Sequence, residues 1–321
     1  MPQQQYVLPQ LSGRRLVRPG PHNTAVFPRR PPVDRRSLGR QRPWCLATSG
    51  CETVIPGLCD DNARIGVLAI DHRDSLRAVI NPEAPETVDR SEIVALKKLI
   101  LDELAGLATG VMLEPEYSIP ELVDGLPDGI GFTAALESQG YSVDPSSVPV
   151  ELLEGWSVEQ AKASGASAAK LLAYYSESAP YHAAAQRDTI TSIVAECARV
   201  GIPLLLEPLG FPGEPHGPGT IAAVTATMPL GATVMKVAWP GDDHLGSLVD
   251  ALQDRPWVML SGGGPFEQYL DQVGQAVAHG CSGFMAGRAV WREVTQVSSD
   301  EQVDVLRSIA APRLTQLRSV L

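Results

Sequence analysis

Several common signatures are missing from this 321-residue chain, and each absence narrows what the protein can be. No apolar run reaches the roughly 20 residues that a membrane-spanning helix needs, so none is expected. The five cysteines (Cys45, Cys51, Cys59, Cys197, Cys281) include no CxxC pair. Structural zinc is therefore not expected, and nothing calls for an oxidising compartment. No GxGxxG follows the first apolar run, which ends instead in AIDHRDSL, so the dinucleotide-binding fingerprint is lacking. Lysine is scarce: Lys97, Lys98, Lys162, Lys170 and Lys236 are the whole set. These absences leave a cytoplasmic protein of the α/β class as the expectation.

Charge is unevenly spread. Residues 1–42 hold nine arginines and a single acid, Asp34, with much Pro and Gln and no apolar periodicity. Such a segment cannot bury enough surface to offset its chain entropy, so residues 1–60 read as a disordered basic extension. A nucleic-acid arm and a transit-like leader are the functional readings; a solvated tail, or residues upstream of the true start, is the plainer one. The extension has neither the interleaved aromatics of single-strand binding nor the apolar stretch of a secretory signal. Residues 61–321 carry 34 acids against 17 basic groups. A body that acidic repels nucleic acid and anionic membranes, so an anionic substrate would need a local positive pocket.

From residue 65, eight short apolar runs alternate with longer amphipathic stretches. They are IGVLAI (65–70), GVML (110–113), GIGFTAAL (129–136), ASAAKLLAYY (166–175), IPLLLEPL (202–209), ATVMKVAW (232–239), WVMLSGG (257–263) and SGFMAG (282–287). Near-continuous apolar runs are what parallel strands covered by helices require. Eight such units, over a length close to the roughly 250 residues usual for the architecture, predict a (β/α)8 TIM barrel across residues 61–321. A doubly wound sheet is the alternative.

Barrel chemistry sits at the C-terminal ends of the strands. The ionisable residues there are Asp71 and Arg73 after the first run, Glu114 and Glu116 after the second, and Lys170 in the fourth. Glu207 lies in the fifth run, Lys236 in the sixth, Ser261 in the seventh, and Arg288 after the eighth. Lys97, Lys98 and Lys162 fall in helical patterns, where a solvated face accounts for them. Lys170 and Lys236 interrupt apolar strands, and a buried ammonium is costly unless paired or neutralised. One reading is a pair of buried ion pairs with Glu207 or Asp71 and no chemistry. The other is a nucleophilic amine: an uncharged lysine attacks a carbonyl, and the resulting iminium is an electron sink for breaking the adjacent carbon–carbon bond. Lys236 is the expected nucleophile, with Lys170 as the neighbouring cation and Glu207 as proton shuttle.

SGGGP (261–265) offers unobstructed backbone N–H groups, and AGRAVW (286–291) places Gly287 and Arg288 at a helix start. Barrels frequently bind phosphate between these two loops. Ser261, Gly262, Gly263, Gly287 and Arg288, with Arg73, are thus the candidate substrate- and phosphate-binding residues. His72, His182, His216 and His244 follow the first, fourth, fifth and sixth runs and could assemble a zinc site for a metal-dependent aldolase. None shows a close-spaced ligand motif.

At LAIDHRDSL, VMLEPEYS, LLEGWSVEQAKASGASAAKLLAYY, GIPLLLEPL, VMKVAWP, PWVMLSGG and SGFMAGRAVWRE, the chain resembles the tagatose-1,6-bisphosphate aldolase family of class I aldolases, which includes the sulfofructosephosphate aldolases. The likeness runs from about residue 64 to 294. It implies a barrel, no metal or other cofactor, and retro-aldol cleavage of a ketose phosphate to dihydroxyacetone phosphate and a three-carbon aldehyde. By the same resemblance Lys236 is the Schiff-base former and Glu207 the proton shuttle. Lys170 holds substrate oxygen and favours the neutral form of the nucleophile, while Asp71 binds substrate hydroxyls or assists proton transfer. The chain departs from the family where it has Asp71-His72-Arg73-Asp74 in place of DQRG, Ala238 in place of an acid, and FPGEPHGPG after Glu207. The chemistry therefore transfers better than the substrate does. The expected partner is a small-molecule sugar phosphate, not nucleic acid or membrane, with a homo-oligomer left open. A non-catalytic sugar-phosphate-binding barrel is the competing reading.

Overall fold

The computed structural model describes residues 55–138 and 149–321. Eight parallel strands close into a barrel in sequence order. They are β1 (Ile65–Ala69), β2 (Gly110–Leu113), β3 (Phe132–Ala135), β4 (Ala168–Tyr175), β5 (Leu204–Gly210), β6 (Val234–Val237), β7 (Trp257–Leu260) and β8 (Gly283–Ala286). Each lies within one of the eight apolar runs or, for β5, reaches one residue past it. The wrapping helices are α1 (Asp74–Ile80), α2 (Arg90–Leu104), α3 (Val158–Ala163), α4 (Pro180–Val200), α5 (His216–Thr227), α6 (Leu245–Leu252), α7 (Phe266–Ala278) and α8 (Arg288–Trp291), followed by α9 (Gln302–Val305) and α10 (Ala311–Ser319). The fold is the expected (β/α)8 TIM barrel, although among the described residues the β2–β3 connection carries only a short 3-10 turn, Val123–Gly125. No described helix is long and apolar enough to cross a membrane.

Alternation along the strands divides the core in two. Val67, Met112, Ala168, Leu205, Val234, Val258 and Met285 fill the barrel interior, while their neighbours face the helices in a larger outer cluster.

The basic extension lies outside the described residues, except at its end. Ile55 and Leu58, assigned from the sequence to the extension, are fully buried and join the interior cluster beneath the barrel. The Gly57 carbonyl accepts from Gly131 N at 2.8 Å, and Thr109 Oγ1 donates to Leu58 O at 2.7 Å. A Cβ at Gly110 would stand 2.7 Å from the Gly57 oxygen, so glycine is needed for the segment to close the floor. The ordered body thus includes Ile55, earlier than the expected boundary. Two aliphatic side chains flanked by Pro and Gly make no periodic pattern, yet burying each contributes about 1.5–3 kcal/mol.

Lys97 also departs from expectation. It is fully buried rather than solvated, paired with the equally buried Glu114 carboxylate, with its ammonium 5.5 Å from the centre of the Tyr117 ring. The position explains this: Lys97 lies four residues after Ile93 and three before Ile100, on the apolar face of α2. Glu114, just past β2, also accepts the backbone N–H groups of Glu116 and Tyr117. Removing one partner strands a buried charge. Lys97→Ala is expected to lower unfolding free energy by about 3–5 kcal/mol, with most of the loss recovered in Lys97→Met/Glu114→Leu. Urea unfolding of the two variants checks this, and a single substitution with an unchanged midpoint contradicts it.

Candidate active site

The strand ends bring the two strand lysines into one charged cluster. On β4, Lys170 occupies an interior position; on β6, Lys236 does the same, and both are at least 95% buried. Between them stands Glu207 of β5, whose Oε2 is 2.9 Å from Lys236 Nζ and 3.1 Å from Lys170 Nζ. Lys170 also reaches Asp71 Oδ2 at 3.2 Å and Glu137 Oε1 at 2.6 Å. Lys236 has a softer second neighbour, the Met112 sulfur at 3.7 Å.

These contacts set the charge states. Burial alone would discharge Lys170, but Glu137, Glu207 and Asp71 outweigh it and hold its pKa well above the ordinary lysine value. Burial likewise opposes ionisation of Glu207, and the charges of Lys170 and Lys236 overcome it, keeping this carboxyl below the usual range. Asp71 follows the same logic more strongly, burial being overridden first by Lys170 and then by Lys236. The cluster is therefore a fixed ammonium surrounded by carboxylates, with Lys236 sharing only Glu207.

Glu137 was not singled out from the sequence. It lies two residues past the end of β3, and its second carboxylate oxygen accepts Leu172 N at 3.2 Å. The available signal was positional: a carboxylate at a strand end, like the others. Arg73 is buried behind it, pairing with Glu116 at 2.8 Å and donating to the Glu137 carbonyl at 2.8 Å. The structure thus sets Arg73 among the β2 and β3 loops rather than with the glycine loops.

Those loops border the same cavity as the charged cluster. Asp71, His72, Glu207 and Lys236 line it together with Ser261, Gly262, Gly263, Gly287 and Arg288. Gly262 and Gly263 have positive φ of 55° and 75°, a turn that glycine adopts without steric cost. Gly287 N donates to Ser261 Oγ at 3.4 Å, tying the two loops together. A Cβ on Gly263 would lie 2.9 Å from Arg292 Nη2 and 3.4 Å from Arg288 Nε, so the glycine lets two guanidinium groups close on the loop. Arg292, one helical turn beyond Arg288, donates to the Gly263 carbonyl; it too was missed in the sequence, where the i, i+4 arginine spacing was the clue.

The histidines are dispersed. His72 packs edge-on against Trp291 with ring centroids 5.3 Å apart, His182 packs on Phe211, and His216 Nε2 bonds the Trp239 carbonyl at 2.8 Å. Among the described residues no group of three or more His, Cys, Asp or Glu side chains is arranged to hold a metal ion.

Burial pushes His72 down to a pKa of about 3, with Arg288 adding to the shift and Asp71 opposing it. The unfolded chain takes up a proton near pH 6.5 and the folded one does not, so stability falls as pH drops from about 6.5 toward 3. The slope from this residue is at most about 1.4 kcal/mol per pH unit. His72→Gln should flatten it, bringing the unfolding midpoints at pH 5 and pH 7.5 closer together than in the wild type. An unchanged gap would show that His72 protonates freely in the fold.

Comparison with known proteins gives a consistent outcome. The sequence model of the DeoC/LacD family aldolases matches residues 65–293. Tagatose 1,6-diphosphate aldolase of Listeria innocua is 28% identical over 297 residues, covering 81% of this chain and 87% of its own length. The Streptococcus agalactiae protein of that name is 33% identical over 155 residues, 48% of this chain and 47% of its own. Among solved structures, an archaeal fructose-1,6-bisphosphate aldolase with its catalytic lysine bound to a carbinolamine intermediate superposes with a TM-score of 0.57. It covers 82% of this chain and 96% of its own at 22% identity, a likeness of fold. A protein of Corynebacterium glutamicum superposes with a TM-score of 0.62 at 18% identity, covering 82% and 87%.

Proposed function

The chain belongs to the DeoC/LacD family of aldolases and is a lyase, and from that premise we propose that it cleaves a ketose phosphate through a Schiff base on Lys236. The observation that carries the reading is the placement of Lys236 Nζ 2.9 Å from Glu207, in a cavity also lined by Ser261, Gly262, Gly263, Gly287 and Arg288. A ketose with its phosphate on those loops presents its carbonyl carbon to the lysine.

The contacts support the following roles. The neutral amine of Lys236 adds to the ketone, and Glu207 passes the protons needed to expel water and leave the iminium. Asp71, held as a carboxylate, takes the proton from the hydroxyl on the far carbon of the breaking bond. The bond electrons flow into the iminium, giving an enamine and an aldehyde. Proton return to the enamine and hydrolysis release dihydroxyacetone phosphate. Lys170, a fixed ammonium, steadies substrate oxygen and keeps positive charge beside the nucleophile. Ser261, Gly262, Gly263, Gly287 and Arg288 hold the phosphate, with Arg292 behind them. Arg73 acts indirectly, by bracing the Glu137 backbone. The tagatose 1,6-diphosphate aldolase relatives support a ketose phosphate as the substrate class.

Borohydride reduction in the presence of dihydroxyacetone phosphate should trap a covalent adduct, located by peptide mass spectrometry on Lys236, in EDTA-treated protein. An unmodified Lys236, or an adduct only on another lysine, rejects the mechanism.

A further inference from the structure

The aldehyde half of the substrate must lie across the barrel mouth from the anion loops. With eight strands in order, β4 stands opposite β8. β4 and β5 are the longest strands and stay paired from Ala169↔Leu204 to Tyr175↔Gly210, well past the level of Lys170 and Glu207. They raise a wall on that side of the mouth. Side chains alternate along β4, so Tyr174 shares the interior face with Lys170 and Leu172. Burial agrees: Leu171, Ala173 and Tyr175 are buried against the helices, whereas Leu172 and Tyr174 are partly open toward the mouth. The Tyr174 ring stacks on Phe211 with centroids 6.1 Å apart. Its phenol is raised in pKa, first by burial and then by the Glu207 carboxylate, and so is a neutral donor beside the catalytic cluster.

This wall is poor in available positive charge. Among the described residues Arg73 is taken by Glu116 and the Glu137 carbonyl, and Arg187 donates to Tyr175 Oη at 2.7 Å. Glu214, accepting from Ser176 and Ser178 where the β4 and β5 loops meet, adds negative charge to the rim. Among the described residues, a second phosphate placed here would meet a carboxylate and no uncommitted cation. The opposite side has Arg288 and Arg292 together at Gly263. Among the described residues, the mouth is thus cationic at one end only.

We infer that the substrate is a ketose monophosphate, with its single phosphate on the Gly263–Arg288 side and a neutral, hydroxylated aldehyde half against Tyr174 and Phe211. Tyr174 is then a specificity-determining residue, donating its phenol to a hydroxyl of the aldehyde half. The inference rests on the Schiff-base reading. In the condensation direction, the enamine carbon of the Lys236 adduct bonds to the aldehyde carbon. The aldehyde oxygen takes a proton, and water then frees the ketose from the lysine.

The test uses the full chain with dihydroxyacetone phosphate and three acceptors: glyceraldehyde, glyceraldehyde 3-phosphate, and the corresponding sulfonated aldehyde. Glyceraldehyde is expected to show a kcat/KM at least about tenfold above either anion, equivalent to about 1.4 kcal/mol of discrimination. Tyr174→Phe should cut kcat/KM for glyceraldehyde by about tenfold, the scale of one hydrogen bond to substrate, while the borohydride-trapped adduct on Lys236 still forms. Preference for a phosphorylated or sulfonated acceptor, with the adduct intact, overturns the inference alone. Loss of the adduct in the wild type overturns the Schiff-base reading and this inference with it. A Tyr174→Phe variant as selective and as active as the wild type removes Tyr174 from the assignment.

Discussion

Lys236→Ala is expected to lower kcat by at least about 10⁴-fold, because it removes the covalent route and not merely a contact. Breaking a carbon–carbon bond beside a ketone requires somewhere for the electron pair to go, and on the Schiff-base proposal an iminium on Lys236 supplies it. Lys170 cannot take over. Glu137, Glu207 and Asp71 surround it at 2.6, 3.1 and 3.2 Å and keep it an ammonium, which has no lone pair to offer. Lys236→Arg separates the chemistry from the charge: it keeps a cation near Glu207 but cannot form the adduct, and should be as inactive as alanine. Both variants should retain the barrel by circular dichroism, since Glu207 keeps Lys170 as its partner. A Lys236→Arg variant within tenfold of wild-type turnover would mean that Lys236 acts only through its charge.

Glu207→Gln should cost about 10²–10⁴-fold in kcat, the range for losing a positioned acid–base group. The steps that suffer are the proton transfers at Lys236 and at the enamine carbon, both within reach of the carboxylate 2.9 Å from Nζ. Substrate affinity should change far less, because on the proposed reading the glycine loops, not Glu207, hold the phosphate. Exchange of the dihydroxyacetone phosphate C3 proton with solvent deuterium gives a direct readout, as it needs the base but no carbon–carbon cleavage. Exchange in Glu207→Gln at the wild-type rate would assign the shuttle elsewhere, with Asp71 the next candidate. Since Lys170 and Lys236 hold the Glu207 carboxyl below the usual range, the wild type should keep this base ionised as pH falls through 5. The acid limit of activity should then follow protein stability, which declines below pH 6.5 in part through His72.

The architecture is largely legible in the sequence. Eight near-continuous apolar runs contain or nearly contain the eight strands, because a parallel strand buried on both faces has no polar positions to confuse the pattern. Lys170, Glu207 and Lys236 were conspicuous for the same reason: in a segment otherwise made of Leu, Val, Met and Ala, a charge stands out. The glycines at 262 and 263 were visible as a cluster, and their positive φ angles show why the residue type matters.

What the sequence by itself determined about this protein was the barrel, the lysine pair with its central glutamate, and the glycine loops, since all rest on local patterns or on one residue breaking a pattern. The tertiary structure alone decided which charges meet. Lys97 read as a solvated helix residue until Glu114, on another element, was brought against it. Glu137 carried no pattern of its own, yet it lies closer to Lys170 than any other carboxylate. Arg73 sat two residues after Asp71 in the chain but turned toward Glu116 and is not among the cavity's lining residues, and Ile55 and Leu58 closed the floor of a barrel that begins several residues later. Periodicity reports how a segment meets its surroundings on average. An ion pair depends on the positions of two particular atoms, and those are set only when distant strands close into one ring.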